Sequence, residues 1–255
     1  MTPPLSQAPT KTPVLTAPIR TQIAPAQVSV IVPAYREAEN MPELIARLNA
    51  LRTSPGLDLE LIIVNDSSGD TTEETVHEQN QPWAHVITRS TERGLSSAVL
   101  RGLSEAKNPF LIVMDADLSH PPEAIPKLID ALEEGADFAV GSRYVPGGST
   151  DDQWTLFRAL NSRVATVLAR PLTRLRDPMS GFVALRRETF QQAAALNPVG
   201  YKIGLELLVK CNCKHVTEVP IHFASRKRGK SKLTLSEQLK YLRHLGRLFS
   251  YKLRK

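Results

Sequence analysis

Residues 110–122 read Phe-Leu-Ile-Val-Met-Asp-Ala-Asp-Leu-Ser-His-Pro-Pro, and this stretch decides the architecture. Phe110–Met114 is a continuous apolar run of strand length. Continuous rather than alternating apolarity predicts a strand buried on both faces, as in a parallel sheet covered by helices on two sides. The run breaks into Asp115 and Asp117. Pro121-Pro122 then begins the next helix, because proline is pre-organised for a first helical turn. Working outward, Val28–Val32 (VSVIV), Leu59–Val64 (LELIIV) and Phe138–Val140 are runs of the same kind, and Ala84–Thr88 is a weaker one.

Helical patterns fill the intervals. Asn40 stands three residues before Glu43, a capping pattern, and Leu44, Leu48 and Leu51 follow at helical spacing. Asp70 and Glu73 repeat the pattern before a second helix. Gly94–Ala106 and Pro122–Glu134 supply two more, the latter stopped by Gly135. Alternation of strand and helix predicts an open, mostly parallel α/β sheet. Such sheets bind ligands beyond the carboxyl ends of their strands. The loops there read Pro33-Ala-Tyr-Arg-Glu37, Asn65-Asp-Ser-Ser-Gly-Asp70, Asp115-Ala-Asp-Leu-Ser-His120 and Gly141-Ser-Arg-Tyr144. No G-x-G-x-x-G follows the first strand and no G-x-x-x-x-G-K-[ST] occurs, which argues against dinucleotide oxidoreductases and P-loop NTPases.

Composition narrows the classes further. The 255 residues are 42% hydrophobic and 23% charged, ordinary for a globular enzyme. No apolar run reaches ~18 residues, so none is expected to span a bilayer, and the N-terminus lacks a signal-peptide h-region. Two cysteines, Cys211 and Cys213, cannot form a disulfide framework or a four-ligand zinc site, and they fit a reducing compartment. Residues 1–26 hold six prolines, five threonines and no acid, and read as a disordered leader. The net charge of +6 is segregated: Arg226–Lys255 carries eleven Lys/Arg against Glu237 alone, and Trp154–Arg176 carries five arginines and no acid. This predicts an anionic partner on one face.

Asp115 and Asp117 are the sharpest pair. Two carboxylates at a strand end can turn toward one hard cation, and Mg²⁺ favours one or two carboxylates with phosphate oxygens and waters. In order, VSVIVPAYREAEN, VNDSSGDTT, MDADLSHPPE, GSRY, DPMSGF, EVPI and RKRGKSK resemble the family-2 glycosyltransferases of the GT-A fold, and within them the dolichol-phosphate mannose synthases. The likeness runs from about Val28 to Lys232. It implies a GT-A (Rossmann-like), mostly parallel α/β sheet flanked by helices, with amphipathic interface helices. Residues 27–232 would form the glycosyltransferase domain and 233–255 a basic amphipathic C-terminal helix.

The resemblance also implies roles. Pro33, Tyr35 and Glu37 line the nucleotide base and ribose, and Asp66 contacts the base. Asp115 and Asp117, with Ser119 as a third candidate, hold Mg²⁺ or Mn²⁺ against the sugar-nucleotide diphosphate. Arg143 approaches the acceptor phosphate, and Arg226 and Lys232 close over the donor diphosphate. Asp117 and Arg143 are the expected catalytic pair. Ser180-Gly181 shapes the sugar pocket by close backbone approach, and Glu206 on a helix is either a core ion pair or a catalytic group. Asn65 departs from the family, where Asp is common.

The implied reaction is inverting transfer of mannose from GDP-mannose to dolichyl or another polyprenyl phosphate. Such an acceptor has a second pKa near ~6, so it needs no base to deprotonate it. A UDP-sugar transferase acting on undecaprenyl phosphate is the alternative. A nucleic-acid-binding protein would explain the tail but not the four loops, and aromatics at 5% offer no stacking platform. Two stripes, Leu156/Leu160/Val164/Val167/Leu168 and Leu235/Leu239/Leu242/Leu245/Phe249, with flanking arginines, predict helices lying in a lipid interface. The expected location is the cytoplasmic membrane face, either as a peripheral protein or through the anchor of a small membrane subunit.

Overall fold

The computed structural model describes residues 25–53, 56–151, 156–225 and 235–254. The sequence leader up to residue 24, and the candidate residues Arg226 and Lys232, lie outside the described residues. The elements run β1 (Ala26–Ala34), α1 (Met41–Arg52), β2 (Leu57–Asn65), α2 (Thr72–Glu78), β3 (Ala84–Thr88), α3 (Leu95–Glu105), β4 (Phe110–Val113), α4 (Ile125–Glu133) and β5 (Phe138–Ser142). There follow β6 (Ser149–Thr150), α5 (Leu156–Ala169), β7 (Val183–Arg186), α6 (Arg187–Gln191), α7 (Ile203–Lys210), β8 (Val216–Pro220), β9 (His222–Phe223) and α8 (Leu235–Leu253). Thus β1 opens at Ala26, the last residue assigned to the leader.

Seven strands form one sheet in the order β3-β2-β1-β4-β7-β5-β8. All pairings are parallel except those of β7, which runs antiparallel to β4 and to β5. A short parallel ribbon, β6-β9, stands apart from it. The unbroken apolar runs have the expected consequence. On β1, Val28, Val30 and Val32 enter one core layer and Ile31 the other; on β2, Leu59, Leu61 and Ile63 oppose Ile62 and Val64. Residues alternate between faces along a strand, so a run apolar at every position fills two layers. Met41, Leu44 and Leu48 of α1 and Ile125, Leu128 and Leu132 of α4 cover the first layer. Val99 and Leu103 of α3, Leu207 of α7 and Leu248 of α8 cover the second.

Two local readings are corrected. Asn40 does not cap α1 with its side chain; its Nδ2 donates to Glu37 Oε2 at 2.6 Å, across a single 3₁₀ turn. The C-terminal stripe also divides. Tyr241, His244, Leu245 and Leu248 are buried on the core, whereas Leu239 and Leu242 are exposed. Leucine spacing alone concealed this, because a tyrosine and a histidine share the inward face.

Close packing of α3 on β1 depends on Gly102. A Cβ there would lie 2.5 Å from Ile31 Cγ2 and 3.2 Å from Val64 Cγ2. Both neighbours are β-branched and stiff. Gly102→Ala is expected to lower stability by about 1–3 kcal/mol through overpacking, despite alanine's better helix propensity. Urea unfolding of the two proteins measures it; a more stable variant would contradict the packing argument.

Candidate active site

The four loops lie at one edge of the sheet because β1, β2, β4 and β5 point the same way there. Three of them contain non-glycine residues in the left-handed region: Arg36 (φ 62°), Ser67 (φ 45°) and Leu118 (φ 61°). Such conformations cost of order 1–3 kcal/mol each and survive where surrounding bonds enforce them. At Leu118 the enforcing bonds are plain. Asp117 Oδ1 accepts the Ser119 backbone N–H at 3.1 Å and the Ser119 hydroxyl, folding the chain back around Leu118. Ser119 is fully buried and acts here as a positioning group for Asp117.

Asp115 is the more open member of the pair. Its backbone N–H donates to His120 Nδ1 at 3.1 Å, which leaves the imidazole proton on Nε2. His120 is buried, stacked 5.3 Å from Phe182 and edge-on to Phe223 at 5.4 Å. Burial lowers its pKa, opposed in part by Asp115 and Asp117, so the ring is a neutral clamp on the acid loop. Gly181 approaches from β7. A Cβ there would stand 3.5 Å from Asp115 Oδ1 and 3.4 Å from His120 Cε1, so glycine keeps the space over that carboxylate clear. Ser180 supports the approach by donating its hydroxyl to the Gly141 carbonyl at 2.7 Å.

Two further carboxylates of the site face buried arginines. Asp66 accepts Arg89 Nε at 2.7 Å and Nη2 on Oδ1, and the Gly94 N–H at 2.8 Å on Oδ2. The residue expected to contact the base therefore fastens the β2 loop to the start of α3. Arg143 follows β5 and is held bidentately by Asp177, with Nε at 2.7 Å and Nη2 at 2.7 Å. Burial opposes its charge, but Asp177 outweighs this and raises its pKa. Asp177 is itself fixed, its N–H donating to Glu218 Oε1 at 3.0 Å, where Ser142 Oγ also donates at 2.7 Å. The Arg143 guanidinium lies 5.1 Å from the Tyr144 ring centroid and 5.2 Å from that of Phe223.

The first loop is also braced. Glu37 carries the Asn40 bond, and its N–H donates to Thr72 Oγ1 at 3.1 Å. Pro33 is the penultimate residue of β1, and Tyr35 lies beneath the Arg36 guanidinium at 5.5 Å. Sequence reading missed Arg89, and it quoted Asp177 only as the first letter of DPMSGF. Arg89 stands 23 residues from its partner and Asp177 stands 34 from its own. The available signal for Asp177 was an acid beside a Ser-Gly pair.

Among the described residues no group of three or more His, Cys, Asp or Glu comes together as a metal cluster. The donor set after β4 is instead two carboxylates, with the space over Asp115 kept open by Gly181. That fits a hard cation which draws its remaining ligands from phosphate and water.

The profile of Glycosyl transferase family 2 matches residues 29–193, from β1 into the segment after α6. The chain belongs to glycosyltransferase family 2. Within this family it is 47% identical over 231 residues to a dolichol-phosphate mannosyltransferase of Pyrococcus furiosus, covering 88% of this chain and 64% of the relative. The chain thus spans less than two thirds of that protein's length. A dolichol-phosphate mannosyltransferase of Saccharomyces cerevisiae is 42% identical over 236 residues, covering 89% and 88% of the two chains. The fold matches crystal structures of Mycobacterium tuberculosis glucosyl-3-phosphoglycerate synthase. One, in complex with Mn²⁺, uridine diphosphate and phosphoglyceric acid, gives a TM-score of 0.63 at 20% identity, covering 88% of this chain and 77% of that one. The GT-A-like architecture expected of a family-2 glycosyltransferase is therefore present.

Glu206, a core or a catalytic group on the sequence, is a core carboxylate held by hydrogen bonds. It is buried on α7 and accepts His244 Nε2 from α8 at 2.7 Å and the Asn197 N–H at 2.9 Å. Burial alone would raise its pKa, but these bonds prevail and hold it below the usual 4.5. A depressed carboxylate contributes stability that is full above the unfolded pKa and lost as pH falls through the folded one. Stability should therefore decline below about pH 4.5, and Glu206→Gln should start lower at neutral pH and decline less steeply. Urea midpoints measured from pH 3 to pH 7 test this; parallel curves would remove Glu206 from the acid transition.

Proposed function

We propose that this chain transfers mannose from GDP-mannose to a polyprenyl phosphate of the dolichyl type, with inversion, at a membrane surface. The observation that carries the reading is 42–47% identity to dolichol-phosphate mannosyltransferases over 88–89% of the chain. The chemistry of the site supports it independently. Asp115 and Asp117 would hold Mg²⁺ or Mn²⁺, which when bound neutralises the leaving diphosphate. Pro33, Tyr35 and Glu37 border the nucleotide on the β1 side, and Asp66 braces that side through Arg89. The segment with Arg226 and Lys232 leaves from Ala224 and Ser225. The Ala224 N–H donates to the Ser119 carbonyl at 3.1 Å, so the chain just after β9 lies beside the acid loop.

Arg143 would take the acceptor phosphate, its plane fixed by Asp177. A phosphate monoester is already largely dianionic at neutral pH, so positioning two anions is the main task. His120 holds the Asp115 loop and abstracts no proton.

The membrane side has its own support. Six of the eight large apolar side chains exposed among the described residues lie on two helices: Val164, Val167 and Leu168 of α5, and Leu239, Leu242 and Leu253 of α8. The helices adjoin, since Tyr241 Oη donates to the Ala165 carbonyl at 2.8 Å and Lys252 Nζ to the Pro171 carbonyl at 3.1 Å. Tyr144, next to Arg143, meets Ser162 of α5 through its hydroxyl at 2.9 Å. The apolar patch therefore leads toward the proposed acceptor arginine. No helix among the described residues is long and apolar enough to cross a membrane.

Transfer of radiolabel from GDP-mannose, compared with UDP-glucose, into organic-extractable lipid phosphate tests the reading; preference for UDP-glucose would replace the donor. Asp117→Ala is expected to reduce turnover by about 10²–10³-fold and, by leaving the buried Ser119 donors unpaired, to lower stability by about 1–3 kcal/mol without unfolding the chain. Wild-type turnover by the substituted enzyme in the presence of EDTA would remove both metal and residue from the mechanism. Arg143→Lys keeps the charge but loses the guanidinium fork, so KM for the lipid phosphate should rise roughly tenfold while KM for GDP-mannose holds. The reverse pattern would move Arg143 to the donor side.

A further inference from the structure

Helix α8 presents three sides. One is buried through Tyr241, His244, Leu245 and Leu248, and a second is the apolar edge of Leu239, Leu242 and Leu253. The third carries Arg243, Arg247 and Arg254, spaced to share a face over three turns. Helix α7 runs alongside, tied by the Glu206–His244 bond, and its Lys210 Nζ stands 4.5 Å over the Tyr251 ring.

Between the two helices lies a cleft of about 450 Å³, lined by Lys210, Arg243, Gly246, Arg247, Tyr251 and Arg254 with the Glu206 carboxylate. Four cations thus face one carboxylate, which already accepts from His244 and Asn197. Arg243, Arg247 and Arg254 meet no acid among the described residues, and the one lining carboxylate, Glu206, already stands 3.9 Å from Lys210, so the cleft keeps an excess of positive charge.

We propose that this cleft is a second anion site, which takes the phosphate of an anionic membrane lipid headgroup. It is separate from the acid-pair site, sharing no residue with the loops after β1, β2, β4 and β5. The inference rests on the membrane reading above. The helix that carries the arginines also carries the exposed leucines, and Gly246, one turn from Leu242, lines the cleft at that border. A lipid whose chains enter the bilayer beside Leu239 and Leu242 brings its phosphate to the guanidinium side.

Gly246 makes the site testable at constant charge. A Cβ there meets nothing within 4 Å, so Gly246→Phe sets a bulky side chain on the lining of the cleft without straining the helix. Flotation of the full chain is measured on phosphatidylcholine vesicles with and without phosphatidylglycerol. The double variant Arg243→Gln/Arg247→Gln should lose roughly thirtyfold of the binding added by phosphatidylglycerol, about five- to sixfold per charge. Gly246→Phe should lose a similar amount. If Gly246→Phe binds as the wild type does, the attraction is diffuse surface charge and the site is overturned. Leu242→Ser reports separately on the membrane reading, because it should weaken binding to both kinds of vesicle. Should no vesicle bind the wild type, glycerol phosphate is titrated calorimetrically. Heat abolished by Gly246→Phe would assign the cleft to a soluble phosphate and overturn the lipid; absence of heat would overturn the site.

Discussion

An antiparallel strand between two strands that run the other way delivers its beginning where they end, and the candidate site depends on that constraint. β7 lies between β4 and β5 and opposes both. The segment just before it, residues 177–182, therefore arrives at the edge where β4 releases Asp115 and β5 releases Arg143. Gly181 comes to rest over the Asp115 carboxylate, and Asp177 reaches the Arg143 guanidinium. A parallel strand in that position would present its start at the far edge. The register makes the delivery specific, because Val183 pairs with both Val113 and Val140.

Buried charge is used repeatedly to fix these loops. Arg143–Asp177, Arg89–Asp66 and His244–Glu206 are all largely withdrawn from solvent. Desolvation offsets much of the attraction in such pairs, so their net contribution to stability is small beside the cost of breaking one. Their effect here is orientation. Each joins a loop or helix to another that is distant in sequence, and each leaves one geometry in which the buried carboxylate is compensated. Of the strained residues, Ser67 lies in a loop held this way, next to Asp66, whereas Leu118 is enforced by the Asp117–Ser119 bonds.

Much of this was legible beforehand, for an identifiable reason. Val28–Val32, Leu59–Val64 and Phe110–Met114 are apolar at nearly every position, and only a sheet covered on both faces buries such runs. Once the strands are parallel, the polar stretches after them must share an edge. Gly181 was legible too, since a glycine beside a polar loop marks close backbone approach. The arginine and carboxylate partners were not. Pairing across 23 or 34 residues follows from strand order, and β7 was not recognised as the inserted antiparallel strand. The faces of α8 escaped for a different reason: Tyr241 and His244 help form the inward side, so counting leucines placed the apolar stripe between the core and the solvent.

The distribution of protons around the acid pair bears on which acceptor it suits. His120, the side chain there whose ordinary pKa lies nearest neutrality, is buried and held neutral, and its Nδ1 is occupied by the Asp115 N–H. Asp177 is bound to Arg143, and Asp117 accepts twice from Ser119. If Asp115 and Asp117 hold a cation as proposed, none of these groups is left to remove a proton from a hydroxyl. An acceptor that brings its own negative charge needs no such group. It needs a fixed cation, and Arg143, locked in plane by Asp177, would supply one. The patch on α5 and α8 would then hold the lipid chain of that acceptor on the side from which Tyr144 and Arg143 are reached.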